Sequence, residues 1–139
     1  MSSTGQCEVE IDVRYAETDQ MQLVHHANYL VWFELARTEL CDQAGLHYSE
    51  IERNGFYMVV TQAEVKYRQG ARYGDRVRLL CRVDRIGSRG MQFAYEARRD
   101  DELLATGRTH HVWVARETGR PCRMPEFARP YFAAGEESV

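Results

Sequence analysis

Only one stretch of this 139-residue chain carries a sustained helical period, and whatever buries it must come from strands. From residue 27 or 28 to residue 44, Tyr29, Phe33, Ala36, Leu40 and Ala44 recur at three- or four-residue steps. That spacing lines them along one helical face. Trp32 and Leu35 widen the stripe, so the helix is expected to be well buried. Asn28 suits its N-cap, and Gly45 suits a left-handed stop at its end. A second, short helical turn is expected over residues 49–54, closed by Gly55.

Elsewhere the period is two. Val9, Ile11 and Val13 alternate with polar residues ahead of the helix. After it, Val59, Thr61, Ala63, Val65 and Tyr67 are expected on one face of a long strand that ends by Gly70. Val77, Leu79, Cys81 and Val83 follow, then Met91, Phe93, Tyr95 and Ala97, then a last strand over residues 104–115. Gly90 is expected to take a positive φ in a turn with Ser88 and Arg89, and Asp100-Asp101-Glu102 makes a second tight connection. Gly107 predicts a bulge or a close backbone approach. Residues 116–125 read as an irregular loop, and 126–134 as a short helix or tail.

Hairpin-length connections imply an antiparallel sheet. One apolar helix needs one sheet to cover it, so the expected fold class is α+β, a long central helix wrapped by five antiparallel strands. The length fits a single domain over residues 1–139, with its core at about 8–116 and a C-terminal tail at 117–139. Free sheet edges then favour a dimer.

Charge and composition narrow the function classes. The formal net charge of −3 gives no broad surface for nucleic acid. No apolar run reaches the roughly 20 residues of a membrane span, and residues 1–6 lack the apolar core of a signal peptide, so a cytoplasmic protein is expected. Cys7, Cys41, Cys81 and Cys122 are widely spaced and read as reduced. The histidines come as His25-His26, His47 and His110-His111. Neighbours on a strand point to opposite faces, so no metal site is expected.

The densest chemistry lies between the first strand and the helix. Asp19 sits in a short loop directly before the helix start, which puts a carboxylate beside orphan amides and the positive end of a helix dipole. The segment Arg14-Tyr15-x-Glu17-Thr18-Asp19-x-Met21-x-x-Val24-His25-His26-Ala27-Asn28-Tyr29-Leu30, continuing Trp32-Phe33-Glu34-x-Ala36-Arg37, resembles the hot-dog-fold acyl-CoA thioesterases. More narrowly it is similar to the YbgC-like branch of the 4-hydroxybenzoyl-CoA thioesterase family. Tyr67-x-x-x-Ala71 and Gly74-Asp75 agree with the same pattern. Gln22 departs from it, standing where the family commonly has glycine three residues after the aspartate.

A thioester suits so small a constellation. Its leaving thiol has a pKa of about 8.5, so it departs as thiolate without a strong acid. An anion and an oxyanion donor can then suffice. The resemblance implies Asp19 as catalytic residue, with two routes open: direct attack to form an anhydride, or activation of water. A loop aspartate that caps the helix is the structural alternative. The oxyanion donor is expected at the backbone N–H of His26 or Ala27. The resemblance further implies that the His26 ring orients substrate or water and that Tyr15 contacts the catalytic aspartate; capping and core packing are the alternatives. Asn28 is read as a cap that shapes the loop and is carried as a substrate-binding residue. Glu34 is expected to pair with Arg37 and is the reserve carboxylate.

Coenzyme A would seek basic residues, and Arg89, Arg85, Arg72 and Arg120 are candidates, with Arg89 carried as the substrate-binding choice. Phe56, Met58 and Val60 are candidates for the acyl chain. The expected activity is hydrolysis of an acyl-CoA without a cofactor, and the resemblance implies a homodimer that assembles into a homotetramer with sites at the dimer interface. Acyl-carrier-protein thioesters, a hot-dog dehydratase and a non-catalytic acyl-binding scaffold are the competing readings.

Overall fold

The computed structural model describes residues 5–132 and 136–137. Residues 1–4, and residues 133–134 of the expected C-terminal segment, lie outside the described residues. At its centre is α1 (Asn28–Ala44), ended by Gly45 at φ 100, whose N–H bonds the carbonyls of Cys41 and Asp42. Tyr29, Trp32, Phe33, Ala36, Leu40 and Ala44 are all buried, as the period requires. Leu35 is not, being 46% exposed. It lies roughly half a turn from Phe33, whereas Arg37 and Cys41 follow Phe33 in steps of four and complete the buried stripe.

Arg37 consequently makes no pair with Glu34. It points inward at 7% exposure, donating from Nε to Tyr48 Oη at 2.8 Å and from Nη1 to Tyr95 Oη at 3.0 Å, while Glu34 faces outward. Tyr95 Oη lies 2.6 Å from Thr109 Oγ1, which lies 2.8 Å from His111 Nε2. A buried cation thus spends its donors on neutral oxygens in a continuous polar chain.

Five long strands wrap this helix: β1 (Gln6–Asp12), β2 (Phe56–Tyr67), β3 (Arg76–Ile86), β4 (Gly90–Arg99) and β5 (Glu102–Ala115), antiparallel in the order β1-β3-β4-β5-β2. The short α2 (Tyr48–Arg53) connects α1 to β2. Val77, Leu79, Cys81 and Val83, and Met91, Phe93, Tyr95 and Ala97, form the inner face under α1. All four cysteines are free, and burial pushes the Cys7 and Cys41 thiols up to about 11 and 12. Such thiols are inert packing groups.

Two local expectations need correction. In β2 a bulge at Thr61 breaks the alternation: Val60 pairs with His111 and Gln62 with His110. The inner face therefore runs Phe56, Met58, Val60, then Ala63, Val65, Tyr67, and Val59 falls on the outer face because one extra residue inverts the phase. Gly90 is not among the positive-φ glycines; a Cβ there would sit 2.4 Å from the His111 carbonyl oxygen, so the need is for space. Gly107 lies in regular register, and the close approach is the correct half of its reading: a Cβ would come within 2.5 Å of the Phe33 ring.

Beyond residue 115 the expected loop carries a strand, and the short helix expected after it is present as a 3₁₀ turn. β6 (Arg120–Cys122) adds to β5, a 3₁₀ turn covers Glu126–Tyr131, and Met124, Ala128 and Phe132 join the core. β7 (Glu136–Glu137) pairs in parallel with the end of β3. Among the described residues no helix is long and apolar enough to cross a membrane. β2 is an edge strand, and Tyr57, Val59, Val60 and Tyr67 on it are exposed.

Candidate active site

Between β1 and α1 the chain makes a 3₁₀ turn at Tyr15–Glu17 and then a tight hairpin closed by a Thr18–Val24 bridge. Asp19 opens that hairpin. Its N–H donates to the Leu23 carbonyl at 2.8 Å, and its Oδ1 accepts the N–H groups of Met21 at 2.8 Å and Leu23 at 3.2 Å. Oδ2 takes no hydrogen bond from the described residues. One oxygen is thus locked to the backbone while the other stays available. Gln22 takes φ 65 to complete the turn, its N–H on the Asp19 carbonyl at 2.9 Å. This is the position where the family pattern prefers glycine, and the backbone shows why.

The second arm leads into the helix. His25 N–H donates to the Glu17 carbonyl at 2.9 Å, and Ala27 N–H donates to His25 Nδ1 at 3.3 Å. The Asn28 and Tyr29 amides turn back to the carbonyls of His25 and His26. The His26 N–H has no acceptor among the described residues. Of the two amides expected to serve as oxyanion donor, Ala27 is engaged and His26 is free. The N-cap is Ala27 rather than Asn28; Asn28 occupies the first helical position and its Nδ2 bonds the Glu17 carbonyl at 3.0 Å, holding the loop instead of capping.

Both arms open on a cleft of about 310 Å³, lined among others by Asp19, His25, His26, Tyr29, Tyr67 and Arg68. The rings of His25 and His26 stack at 4.4 Å, and Tyr67 meets His26 edge-on at 6.3 Å while its hydroxyl donates to the His26 carbonyl at 2.9 Å. Tyr29 lies beneath, accepting the Ala71 N–H at 3.2 Å. Val24 N–H bonds the Ala71 carbonyl, and Leu23 bridges to Arg72, which anchors the hairpin to the β2–β3 connection.

Other predicted residues are not gathered here. Tyr15 is 69% exposed; its ring packs edge-on against Tyr73, and its hydroxyl makes no hydrogen bond to Asp19. Arg72 is near the cleft, but Arg85, Arg89 and Arg120 belong to the far end of the sheet, some 30 Å away by strand length. Phe56, Met58 and Val60 lie seven to eleven residues along β2 from Tyr67, roughly 20 Å or more. Glu34 lines no part of the cleft. Among the described residues no cluster of three His, Cys, Asp or Glu side chains could hold a metal ion.

Sequence reasoning missed two contributors. Arg68 follows Tyr67 at the cleft wall, its N–H on the Leu104 carbonyl at 2.8 Å. Glu17, 6% exposed, lies behind the cleft and receives Trp32 Nε1–H at 2.9 Å. Burial pushes its carboxyl up, but hydrogen bonds from the Arg14 N–H, Trp32 and the Arg14 guanidinium outweigh it, and the net shift is downward. An acid two residues before Asp19 and a tryptophan on the helix were visible in the sequence; their contact was not.

The fold agrees with what known proteins share with the chain. The profile of the thioesterase-like superfamily matches residues 13–132. A candidate acyl-CoA thioesterase, YneP of Bacillus subtilis, is 32% identical over 130 residues, covering 93% of this chain and 94% of the relative. A solved hypothetical protein of Thermus thermophilus has a TM-score of 0.85 at 37% identity, over 90% of this chain and 95% of that one. The DHNA-CoA thioesterase of Staphylococcus aureus has a TM-score of 0.84 at 30% identity, over 91% and 85%. With its helix wrapped by an antiparallel sheet and its matching profile, the chain belongs to the thioesterase-like superfamily of hot-dog enzymes.

Proposed function

We propose that this enzyme hydrolyses acyl-CoA thioesters in the cytoplasm, within the YbgC-like branch, with Asp19 as catalytic carboxylate and the His26 N–H as oxyanion donor. The observation that carries the reading is the pairing of a carboxylate held through one oxygen with an unengaged amide at a helix start, in one cleft. The relatives named for acyl-CoA and DHNA-CoA substrates support the donor class.

In either route the carbonyl oxygen of the thioester sits on the His26 amide, where the helix dipole favours the charge that develops. Such a donor is worth about 3 kcal/mol in the transition state. In one route Asp19 Oδ2 attacks the carbonyl carbon, the C–S bond breaks, thiolate leaves, and water then cleaves the anhydride. In the other, Oδ2 takes a proton from a water that attacks the carbonyl carbon directly, and the C–S bond then breaks with loss of the thiolate. The His26 ring borders the cleft and orients the acyl group or the water.

The working unit in this reading is a homodimer formed along the β2 edge, paired into a tetramer. An isologous pairing reverses the second β2, so the partner's copy of the 56–60 end comes beside the Tyr67 end of the first. The apolar residues that one protomer holds away from Asp19, and the end of the sheet that carries Arg89, are then supplied in trans.

The test is thiol release from short, medium, long and aromatic acyl-CoAs by wild type and Asp19→Asn. We expect turnover of at least one donor and a loss of roughly two orders of magnitude or more in the folded variant. Equal activities would remove Asp19 from the mechanism and turn attention to Glu34. No release from any acyl-CoA would move the reading to carrier-protein thioesters or to acyl binding without turnover.

A further inference from the structure

The residue that joins the two arms of this site lies behind it. Glu17 lines no part of the cleft, yet its carbonyl accepts the His25 N–H at 2.9 Å and Asn28 Nδ2 at 3.0 Å. Its carboxylate accepts the Arg14 N–H at 2.9 Å, Trp32 Nε1–H at 2.9 Å and Arg14 Nη2 at 3.3 Å. Arg14 belongs to the arm that leads to Asp19. Trp32 is buried on α1 and packs against Tyr29, a wall of the cleft.

A buried ionised carboxylate is an expensive way to hold a loop, because its desolvation offsets much of what the bonds return. Direction is what it supplies: three converging donors define one geometry, which an apolar contact cannot do. We propose that Glu17 is a positioning residue for thioester hydrolysis, setting the separation and angle between the Asp19 carboxylate and the His26 amide through its bond to Trp32. The proposal rests on the reading of Asp19 and His26 given above. A misplacement of about 1 Å between reacting groups can cost roughly 100-fold in rate, so a latch of this kind acts on turnover more than on binding.

Glu17→Gln, Trp32→Phe and the double variant test it, with kcat, KM and thermal stability measured on the best acyl-CoA. Glutamine keeps one acceptor but turns an NH₂ toward a donor. We expect Glu17→Gln to lower kcat by about 10- to 100-fold with KM within about threefold, Trp32→Phe to lower it less, and the double variant to fall within about threefold of Glu17→Gln. An unchanged kcat in folded Glu17→Gln, with only the melting temperature lowered, makes the carboxylate a stability element and overturns the proposal. So does full additivity of the two substitutions. If Glu17→Gln does not fold, Trp32→Phe decides alone by the same split between kcat and KM.

A wild type that cleaves no thioester defeats the functional reading rather than the latch. The latch is then decided by amide hydrogen exchange. Exchange at the Asp19 and His25 amides at least about tenfold faster in Trp32→Phe, with β3 and β4 unchanged, upholds it. Equal exchange overturns it.

Discussion

Tyr67, the last residue of β2, donates its hydroxyl to the carbonyl of His26 at 2.9 Å. The bond spans 41 positions of sequence and ties the sheet edge to the residue whose N–H is free at the helix start. Tyr67→Phe keeps the ring against Tyr29 and removes this tie. We expect about 1 kcal/mol of lost stability and a fall in kcat of about tenfold with little change in KM. Thermal melts and steady-state thiol release check it; an unaltered kcat would mean that the helix start is held without the tyrosine.

Gly107→Ala tests the seat of the central ring. The new methyl would lie 2.5 Å from Phe33 Cε2 and 3.1 Å from the Glu64 carbonyl oxygen, and Phe33 is itself stacked on Tyr95 at 4.6 Å. With the backbone on one side and a packed ring on the other, nothing yields easily. A loss of about 1–3 kcal/mol is expected by denaturant unfolding, partly recovered when Phe33→Leu is added.

His111 sets an acid limit on stability. Burial, then the charge of Arg37 and then His110, push its pKa down to about 3. The unfolded chain therefore binds a proton near pH 6.5 that the folded chain refuses until about pH 3. Stability must fall as pH drops through that window, by up to about 1.4 kcal/mol per pH unit. His111→Gln should flatten the part of the pH–stability curve between about 6.5 and 4. A slope identical to wild type would place the acid sensitivity in other groups.

Gln22 holds a φ of 65 within the hairpin that presents Asp19. Glycine adopts that conformation without the Cβ penalty, so Gln22→Gly should raise stability by up to about 1 kcal/mol. Glycine also loosens the unfolded chain, which offsets part of the gain. If the Gln22 side chain narrows the acyl pocket, the variant will accept bulkier acyl-CoAs; an unchanged substrate profile would assign it a backbone role only.

Much of this protein is legible before any coordinates are seen. The alternation in β3 and β4 marks their inner faces correctly, and the three- and four-residue steps from Tyr29 to Ala44 mark α1, because those signals are local and repeat along the chain. The aspartate loop is legible for a different reason: many specified residues lie within about two dozen positions. Where a single residue intervenes, periodicity fails. The extra residue at Thr61 inverts β2, and nothing in its chemistry announces that.

The sequence by itself determined the helix, the alternation of the main strands and the placing of Asp19 just before the helix start, since each depends on neighbours a few residues apart. Only the tertiary structure decided that Arg37 turns inward to Tyr48 and Tyr95, that Gly107 makes room for Phe33, that the Ala27 amide is engaged while the His26 amide meets no acceptor among the described residues, and that Glu17 meets Trp32. Those outcomes depend on side chains brought together from separate turns and strands, and hydrogen bonds and close packing are satisfied by whichever partners the folded chain places within about 3–4 Å.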